Sequence, residues 1–168
     1  MTNSSPPSLR FLFAHPAHVI ACGLGSGLSP FAPGTVGTLF AWTTYPLLRL
    51  LYPVDANFAL FLAFMFVLGF WCCQLTGRHL GVPDHGAIVW DEIVPFWIVL
   101  LLTPATLPWQ LVSFLLFRFY DIVKWPPAHW FDQRFKNGFG VMMDDLAAAG
   151  HTLFTLALIR MLVNLRFW

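Results

Sequence analysis

Apolar residues in this chain come in long blocks separated by short polar breaks, with little of the strict alternation that marks a half-buried strand. Blocks at about residues 35–52, 56–77, 86–103, 109–123 and 146–165 meet or approach the roughly 20 apolar residues a helix needs to cross a bilayer. The second is the cleanest, with no charged residue from Ala56 to Thr76. Thr103-Pro104-Ala105-Thr106-Leu107-Pro108 separates the third from the fourth, and its prolines favour a tight turn, so these two form a hairpin. Upstream, Phe11 to Leu24 is apolar but interrupted by His15, Pro16 and His18. That stretch is short for a span and predicts an interfacial or re-entrant helix.

Composition strengthens this pattern. Of 168 residues, 58% are hydrophobic and 10% charged, with 18 Phe and 8 Trp, against about a quarter charged in an ordinary soluble domain. The mean hydropathy is +0.68. One small core cannot hide so much apolar surface, so much of it faces lipid. The expected fold is all-α: a polytopic integral membrane helical bundle of about four or five transmembrane helices with a Gly/Ser/Pro-rich N-terminal loop. No repeat or long linker divides it, so residues 1–168 form a single domain. The net charge of +1 and the absence of a basic arm argue against a nucleic-acid partner. Cys22, Cys72 and Cys73 fit neither a disulfide framework nor a zinc pattern and are expected to be buried thiols. Trp125, Trp130 and Trp168 suit interfacial anchoring.

Orientation follows from Lys and Arg in the short loops. With five crossings and a cytoplasmic N-terminus, the inner side carries Arg10, Arg78, Lys124, Arg134 and Lys136, while the outer side holds Arg49, Arg160 and Arg166. The bias favours N-in and C-out. It brings Asp91, Asp121, Asp144 and Asp145, from three helices, to one membrane face.

That convergence matters because seven of the eight acidic residues lie between Asp84 and Asp145. Carboxylates in membrane helices are costly unless paired, hydrated or bound to a cation. Asp91 and Glu92 have apolar residues on both sides. Arg118 and Asp121 share a helix face, and Lys124 continues it. Asp144 and Asp145 precede an apolar run that looks like a helix beginning, where acids would compensate the helix dipole. One helix start does not explain Asp91, Glu92 and Asp121, whereas clustered oxygen ligands suit Mg²⁺.

Gly23-Leu24-Gly25-Ser26-Gly27-Leu28-Ser29-Pro30, followed by Pro33-Gly34-Thr35, is the second feature. Its glycines and hydroxyls, with the helix start at Pro33, could cradle a phosphate; the same run serves equally well as a re-entrant loop with close packing at glycine. No Walker motif follows. His85, beside Asp84, is a candidate general acid or phosphate donor or else a solvated loop residue. His151 is expected in a helix interface, and His15, His18, His79 and His129 show no ligand spacing.

Taken in order, the Gly/Ser run with Pro33-Gly34-Thr35, Asp84-His85-Gly86 with Val89-Trp90-Asp91-Glu92, Phe117-Arg118 with Asp121 and Lys124, Trp130-Phe131-Asp132, and Gly138-Phe139-Gly140-Val141-Met142-Met143-Asp144-Asp145 resemble the phosphatidylglycerophosphatase A family. The resemblance covers nearly the whole chain. It implies a bacterial inner-membrane, Mg²⁺-dependent phosphatase that converts phosphatidylglycerophosphate to phosphatidylglycerol and phosphate; the apolar blocks and loop charges make it multi-pass with its active site expected to face the cytoplasm. Trp125-Pro126-Pro127, Asn137, Pro95 and Ala149 depart from the family pattern but leave every candidate charged residue in place.

The expected roles are Asp91, Glu92, Asp121, Asp144 and Asp145 as catalytic metal ligands for one or two Mg²⁺ ions. Ser26, Ser29, Gly34, Thr35, His85, Arg118 and Lys124 are expected to contact the substrate. Water attack and a covalent aspartyl-phosphate are not separated by sequence. The competing reading, an ion or proton transporter with an acidic/Arg relay, expects ionisable groups spread through bilayer depth.

Overall fold

The computed structural model describes residues 6–165, and not the side chains of residues 131–133, 164 and 165. The expected roles of Trp168 and Arg166 lie outside the described residues. No strand occurs among the described residues. The helices are α1 (Leu9–Leu12), α2 (Pro16–Ala21), α3 (Pro33–Leu51), α4 (Asp55–Leu80), α5 (Trp90–Leu102), α6 (Leu107–Val123), α7 (Ala128–Arg134) and α8 (Gly138–Leu165), with a 3-10 segment at Gly23–Leu28.

The N-terminal apolar stretch is divided into short pieces. Ser8 caps α1 by accepting from the Phe11 amide at 3.2 Å. Across the break, His15 Nδ1 accepts from the Ala17 amide at 3.1 Å, and Pro16 occupies the first turn of α2, where a missing N–H costs nothing. Gly23, Leu24 and Gly25 all have positive φ, which reverses the chain into the Gly/Ser loop. His18, assigned no role by spacing, is buried and lies 2.8 Å through Nε2 from His79 Nδ1. Its own Nδ1 donates to the Phe11 carbonyl at 2.8 Å, so this histidine fastens the N-terminal helices to the end of α4.

α5 forms the centre and packs against α2, α3, α4, α6 and α8. Ile93, Val94, Phe96, Trp97, Val99 and Leu100 are buried around its whole circumference, as expected of a helix that is apolar all round. Its buried indoles are satisfied: Trp97 Nε1 donates to the Ala41 carbonyl at 2.8 Å and Trp90 Nε1 to that of Met65 at 3.2 Å. At 13 residues it rises about 20 Å, short of the roughly 30 Å hydrocarbon core.

Two helices, Asp55–Leu80 and Gly138–Val163, are long and apolar enough to cross a membrane, and only 28% and 22% of their apolar windows are buried inside the protein. Leu60, Phe64, Val67 and Trp71 on α4, and Phe154, Leu158, Met161 and Leu162 on α8, are exposed. Their helical spacing makes apolar outer faces suited to lipid. The chain is a membrane protein. Cys22, Cys72 and Cys73 are free and buried.

α8 begins earlier than the apolar block suggests. Asn137 Oδ1 caps it by accepting from the Gly140 amide at 3.0 Å, and Gly138 donates to Gln74 Oε1 at 2.8 Å. A side chain at Gly138 would run into the Phe70 carbonyl, and one at Gly140 into that of Phe135. Asp144 and Asp145 therefore sit beyond the first turn, which contains no acid. Dipole compensation at a helix start does not account for them, because that effect fades after the first turn.

Candidate active site

Consecutive long helices run in opposite directions, so the N-terminal ends of α3, α5 and α8 meet the C-terminal end of α6. Three of these ends supply the acids: Asp91 and Glu92 from α5, Asp121 from α6, and Asp144 and Asp145 from α8. Asp91, Asp144 and Asp145 are buried at 6%, 6% and 4% exposure. Glu92, Asp121 and Asp145 each offer an oxygen, and the three atoms lie within 4.8 Å of one another.

Arg118 organises one side of the cluster. Its Nη1 donates to Glu92 Oε1 at 3.1 Å and pairs with Asp121 Oδ2 at 2.5 Å. The same nitrogen lies 3.4 Å from Thr38 Oγ1, whose hydroxyl donates to the Gly34 carbonyl at 2.9 Å. Lys124 organises the other side: Nζ lies 2.8 Å from Asp144 Oδ2 and 3.9 Å from Asp84 Oδ2. Lys124 adopts a left-handed backbone as the C-cap of α6, an uncommon conformation outside glycine that aims its ammonium back at α8.

Glu92, Asp121, Asp144 and Asp84 thus share two cations, and Asp91 and Asp145 add further buried carboxylates beside them. Such an excess of buried negative charge requires protons or a further cation. Asp91 Oδ1, Glu92 Oε2 and Arg118 Nε are buried without a hydrogen-bond partner among the described residues. Two unsatisfied carboxylate oxygens in an all-oxygen set fit a hard divalent cation such as Mg²⁺.

The Gly/Ser run approaches this cluster through α3. A Cβ on Gly34 would collide with Glu92 Oε1, and one on Gly37 would come within 2.8 Å of Val89 Cβ and 3.4 Å of Glu92 Oε2. Bare backbone at these positions lets α3 lie against the acid end of α5. Farther upstream, a Cβ on Gly27 would strike the Ala87 carbonyl, and the Val89 amide donates to the Ala21 carbonyl at 2.9 Å. The loop is welded to the segment leading into Asp91.

The loop hydroxyls are used locally. Ser26 Oγ donates to the Gly23 carbonyl at 2.8 Å and Ser29 Oγ to that of Phe31 at 2.7 Å. Thr35 occupies the first turn of α3, partly exposed. His85 is buried, and its Nδ1 accepts from the Ala87 amide at 3.1 Å. Burial lowers its pKa, partly offset by Asp84. Hence the structure brings the five acids, Arg118, Lys124 and Gly34 together, while Ser26, Ser29 and His85 shape the loops beside them. Thr38 was missed; it stands one helical turn after Gly34, which is the spacing that stacks residues on one face.

The profile described as Phosphatidylglycerophosphatase A matches residues 19–160. The chain belongs to the phosphatidylglycerophosphatase A family. A phosphatidylglycerophosphatase A of Haemophilus influenzae is 45% identical over 151 residues, covering 89% of this chain and 91% of that one. The Escherichia coli protein of that name is 40% identical over 141 residues, or 83% and 80% of the two chains. A Bacteroides thetaiotaomicron protein, provisionally named a phosphatidylinositol-3-phosphatase, is 38% identical over 153 residues, or 87% and 94%. No solved structure matches.

Within the phosphatidylglycerophosphatase A family, three of the positions singled out in this sequence have defined places in the structure. Asn137 is the cap of α8. Pro95 lies inside α5, where its missing N–H removes the helical bond to the Asp91 carbonyl. Ala149 is buried at 1% exposure. None of them replaces a charged residue of the site.

Proposed function

We propose that this chain is a Mg²⁺-dependent lipid phosphatase that hydrolyses phosphatidylglycerophosphate to phosphatidylglycerol and inorganic phosphate. The observation that carries the reading is the Glu92, Asp121 and Asp145 trio, flanked by Arg118 and Lys124, in a chain of this family. Glu92, Asp121 and Asp145 would hold Mg²⁺, with Asp91 and Asp144 completing the acid set. When bound, the ion supplies charge neutralisation on the phosphoryl oxygens and lowers the pKa of water.

The protein's own groups position and neutralise. Arg118 fixes Glu92 and Asp121 through Nη1, leaving the other amino group of its fork for a phosphate oxygen. Lys124 provides a second positive charge next to Asp144. Thr35 and the loop around Ser26 and Ser29 border the headgroup, and His85 stiffens the approach to Asp91. In the reaction, water adds to phosphorus, the bond from phosphorus to the glycerol oxygen breaks, and a proton from water ends on the released hydroxyl. Direct attack is the simpler route; an aspartyl-phosphate on one of the acids is the alternative within the same reaction.

In this reading four or five helices cross the inner membrane of a bacterium, with the acid cluster facing the cytoplasm and α5 sheltered at the centre. The transporter alternative is disfavoured because the acids gather at one end of the bundle. The deciding assay is phosphate release by purified protein in detergent, with Mg²⁺, from phosphatidylglycerophosphate and phosphatidylinositol-3-phosphate in parallel. Preferred release from phosphatidylglycerophosphate is expected. Preference for the inositol lipid would reassign the substrate, and no release from either by folded protein would favour the transporter.

A further inference from the structure

Arg118 belongs to the charged site and also to the outer surface of α6. Leu111, Leu115, Arg118 and Ile122 follow one another at steps of four, three and four residues, which aligns them on one stripe of a helix. Leu111, Leu115 and Ile122 are exposed, and Arg118 is partly exposed. On α3, Thr35, Leu39 and Trp42 keep the same spacing, with Leu39 exposed and the other two partly so. The exposed stripes of α4 and α8 carry none of the site's charges, whereas α6 brings one of them to the lipid-facing surface.

α3 and α6 both pack on α5 and meet each other at two levels. At the acid end, Arg118 Nη1 lies 3.4 Å from Thr38 Oγ1, and bare Gly34 lies against the same guanidinium, where a Cβ would come within 3.1 Å of Nη2. Four residues deeper along each helix, about 6 Å, Trp42 stacks on Phe114 with ring centroids 5.5 Å apart. Trp42 Nε1 also donates to Gln110 Oε1 at 2.9 Å. This pair floors the seam between the two helices, and exposed Leu39, Leu111 and Leu115 stand beside it. Along the seam a charged donor at the acid end therefore gives way to apolar side chains deeper in the bundle, which is the order of headgroup and acyl chain in a phospholipid.

The other flank of the cluster is polar. Lys124 and Asp84 pair across it with side chains 29% and 50% exposed, an edge that water can reach. Hydrolysis of a lipid needs both approaches, one apolar and one wet. We propose that the seam between α3 and α6 is the lateral lipid entry to the site: the phospholipid arrives from the bilayer with its terminal phosphate toward Arg118 Nη2 and an acyl chain over Trp42 and Phe114, while water enters and phosphate leaves past Asp84 and Lys124. This path presupposes the lipid-phosphatase reading and adds the residues that guide the lipid body. Because lipid tails are as apolar as leucine, the seam supplies orientation rather than hydrophobic affinity.

Photolabelling of the full chain in detergent with Mg²⁺ tests the path. The probe is a non-hydrolysable phosphatidylglycerophosphate analogue, its terminal phosphate replaced by a methylene phosphonate, with a diazirine in one acyl chain. Mass spectrometry should place the label on Leu39, Trp42, Leu111, Phe114 or Leu115, and unlabelled analogue should compete it away. Leu111→Trp and Leu115→Trp fill the seam from lipid-exposed positions and should each cut labelling several-fold; Phe64→Trp, on the exposed face of α4, should not. In parallel, kcat/KM for dipalmitoylphosphatidylglycerophosphate relative to deacylated glycerophosphoglycerophosphate should fall about fivefold in both seam variants, a loss of orientation only, and hold in Phe64→Trp. Label spread evenly over the outer faces of α4 and α8, label that unlabelled analogue fails to displace, or equal labelling of wild type and both seam variants would overturn the proposal. Competable labelling of the seam without phosphate release from either compound would support the lipid path and count against the phosphatase reading alone.

Discussion

The two ends of the bundle each contain an arginine paired with an aspartate, and they differ in what surrounds the pair. Arg49 and Asp55 meet at 2.6 Å with side-chain exposures of 27% and 77%, so water screens the pair and its net contribution is small. Arg118 and Asp121 are 14% and 12% exposed, share Glu92, and lie beside Asp145, Asp91 and the Lys124–Asp144 pair. Removing water makes those charges strongly interdependent. The same residue types therefore serve as a rim contact at one end and as a charge-dense site at the other.

That contrast can be broken most severely at the acid trio. Glu92→Gln, Asp121→Asn and Asp145→Asn keep volume while removing a ligand charge, and each should lower phosphate release by about 100-fold or more, the upper range for loss of a metal's supporting partner. Retained membrane insertion and thermal stability would separate this from misfolding.

A smaller loss is expected at the cations. Arg118→Lys keeps charge but loses the planar fork, and turnover should fall about tenfold or more for one lost charge-assisted contact. Raising Mg²⁺ should not rescue it, whereas Glu92→Gln should recover partly as Mg²⁺ rises. An activity titration at saturating lipid distinguishes them; full rescue of Arg118→Lys with none for Glu92→Gln would reverse the two roles.

Gly34→Ala sharpens the steric side of the comparison. Its methyl would collide with Glu92 Oε1, and relieving overpacking costs about 1–3 kcal/mol. Both thermal stability and phosphate release should fall, the latter because Glu92 must shift. At the other end, Asp55→Asn should be the mildest change, costing about 0–1 kcal/mol as a surface pair and leaving phosphate release within about twofold. A loss there as large as at Asp145 would erase the distinction between the ends.

Much of this arrangement was legible in the chain because membrane burial makes acids conspicuous. Asp91 and Glu92 stand out between apolar residues, and alternating helix direction carries them toward Asp121, Asp144 and Asp145. Local sequence revealed less of the loops. Ser26 and Ser29 looked available for phosphate, yet each bonds a backbone carbonyl within three residues, a competition that composition does not disclose. Gly34 looked like a cradle for an anion, whereas its missing Cβ admits the Glu92 carboxylate. The start of α8 was also hidden: capping by Asn137 and docking of Gly138 on α4 extend the helix upstream of its apolar block. The pairing of His18 with His79 joins residues 61 positions apart, a contact that spacing could not signal.

The central claim is that the buried acids hold a divalent cation needed for phosphate release. It is tested most directly by assaying phosphatidylglycerophosphate hydrolysis after chelation and again after Mg²⁺ is restored, in wild type, Asp55→Asn and Asp145→Asn. Chelation should abolish release in wild type and Asp55→Asn, Mg²⁺ should restore both, and Asp145→Asn should remain nearly inactive throughout. Undiminished release by the chelated wild type, or wild-type turnover by folded Asp145→Asn, would contradict the account.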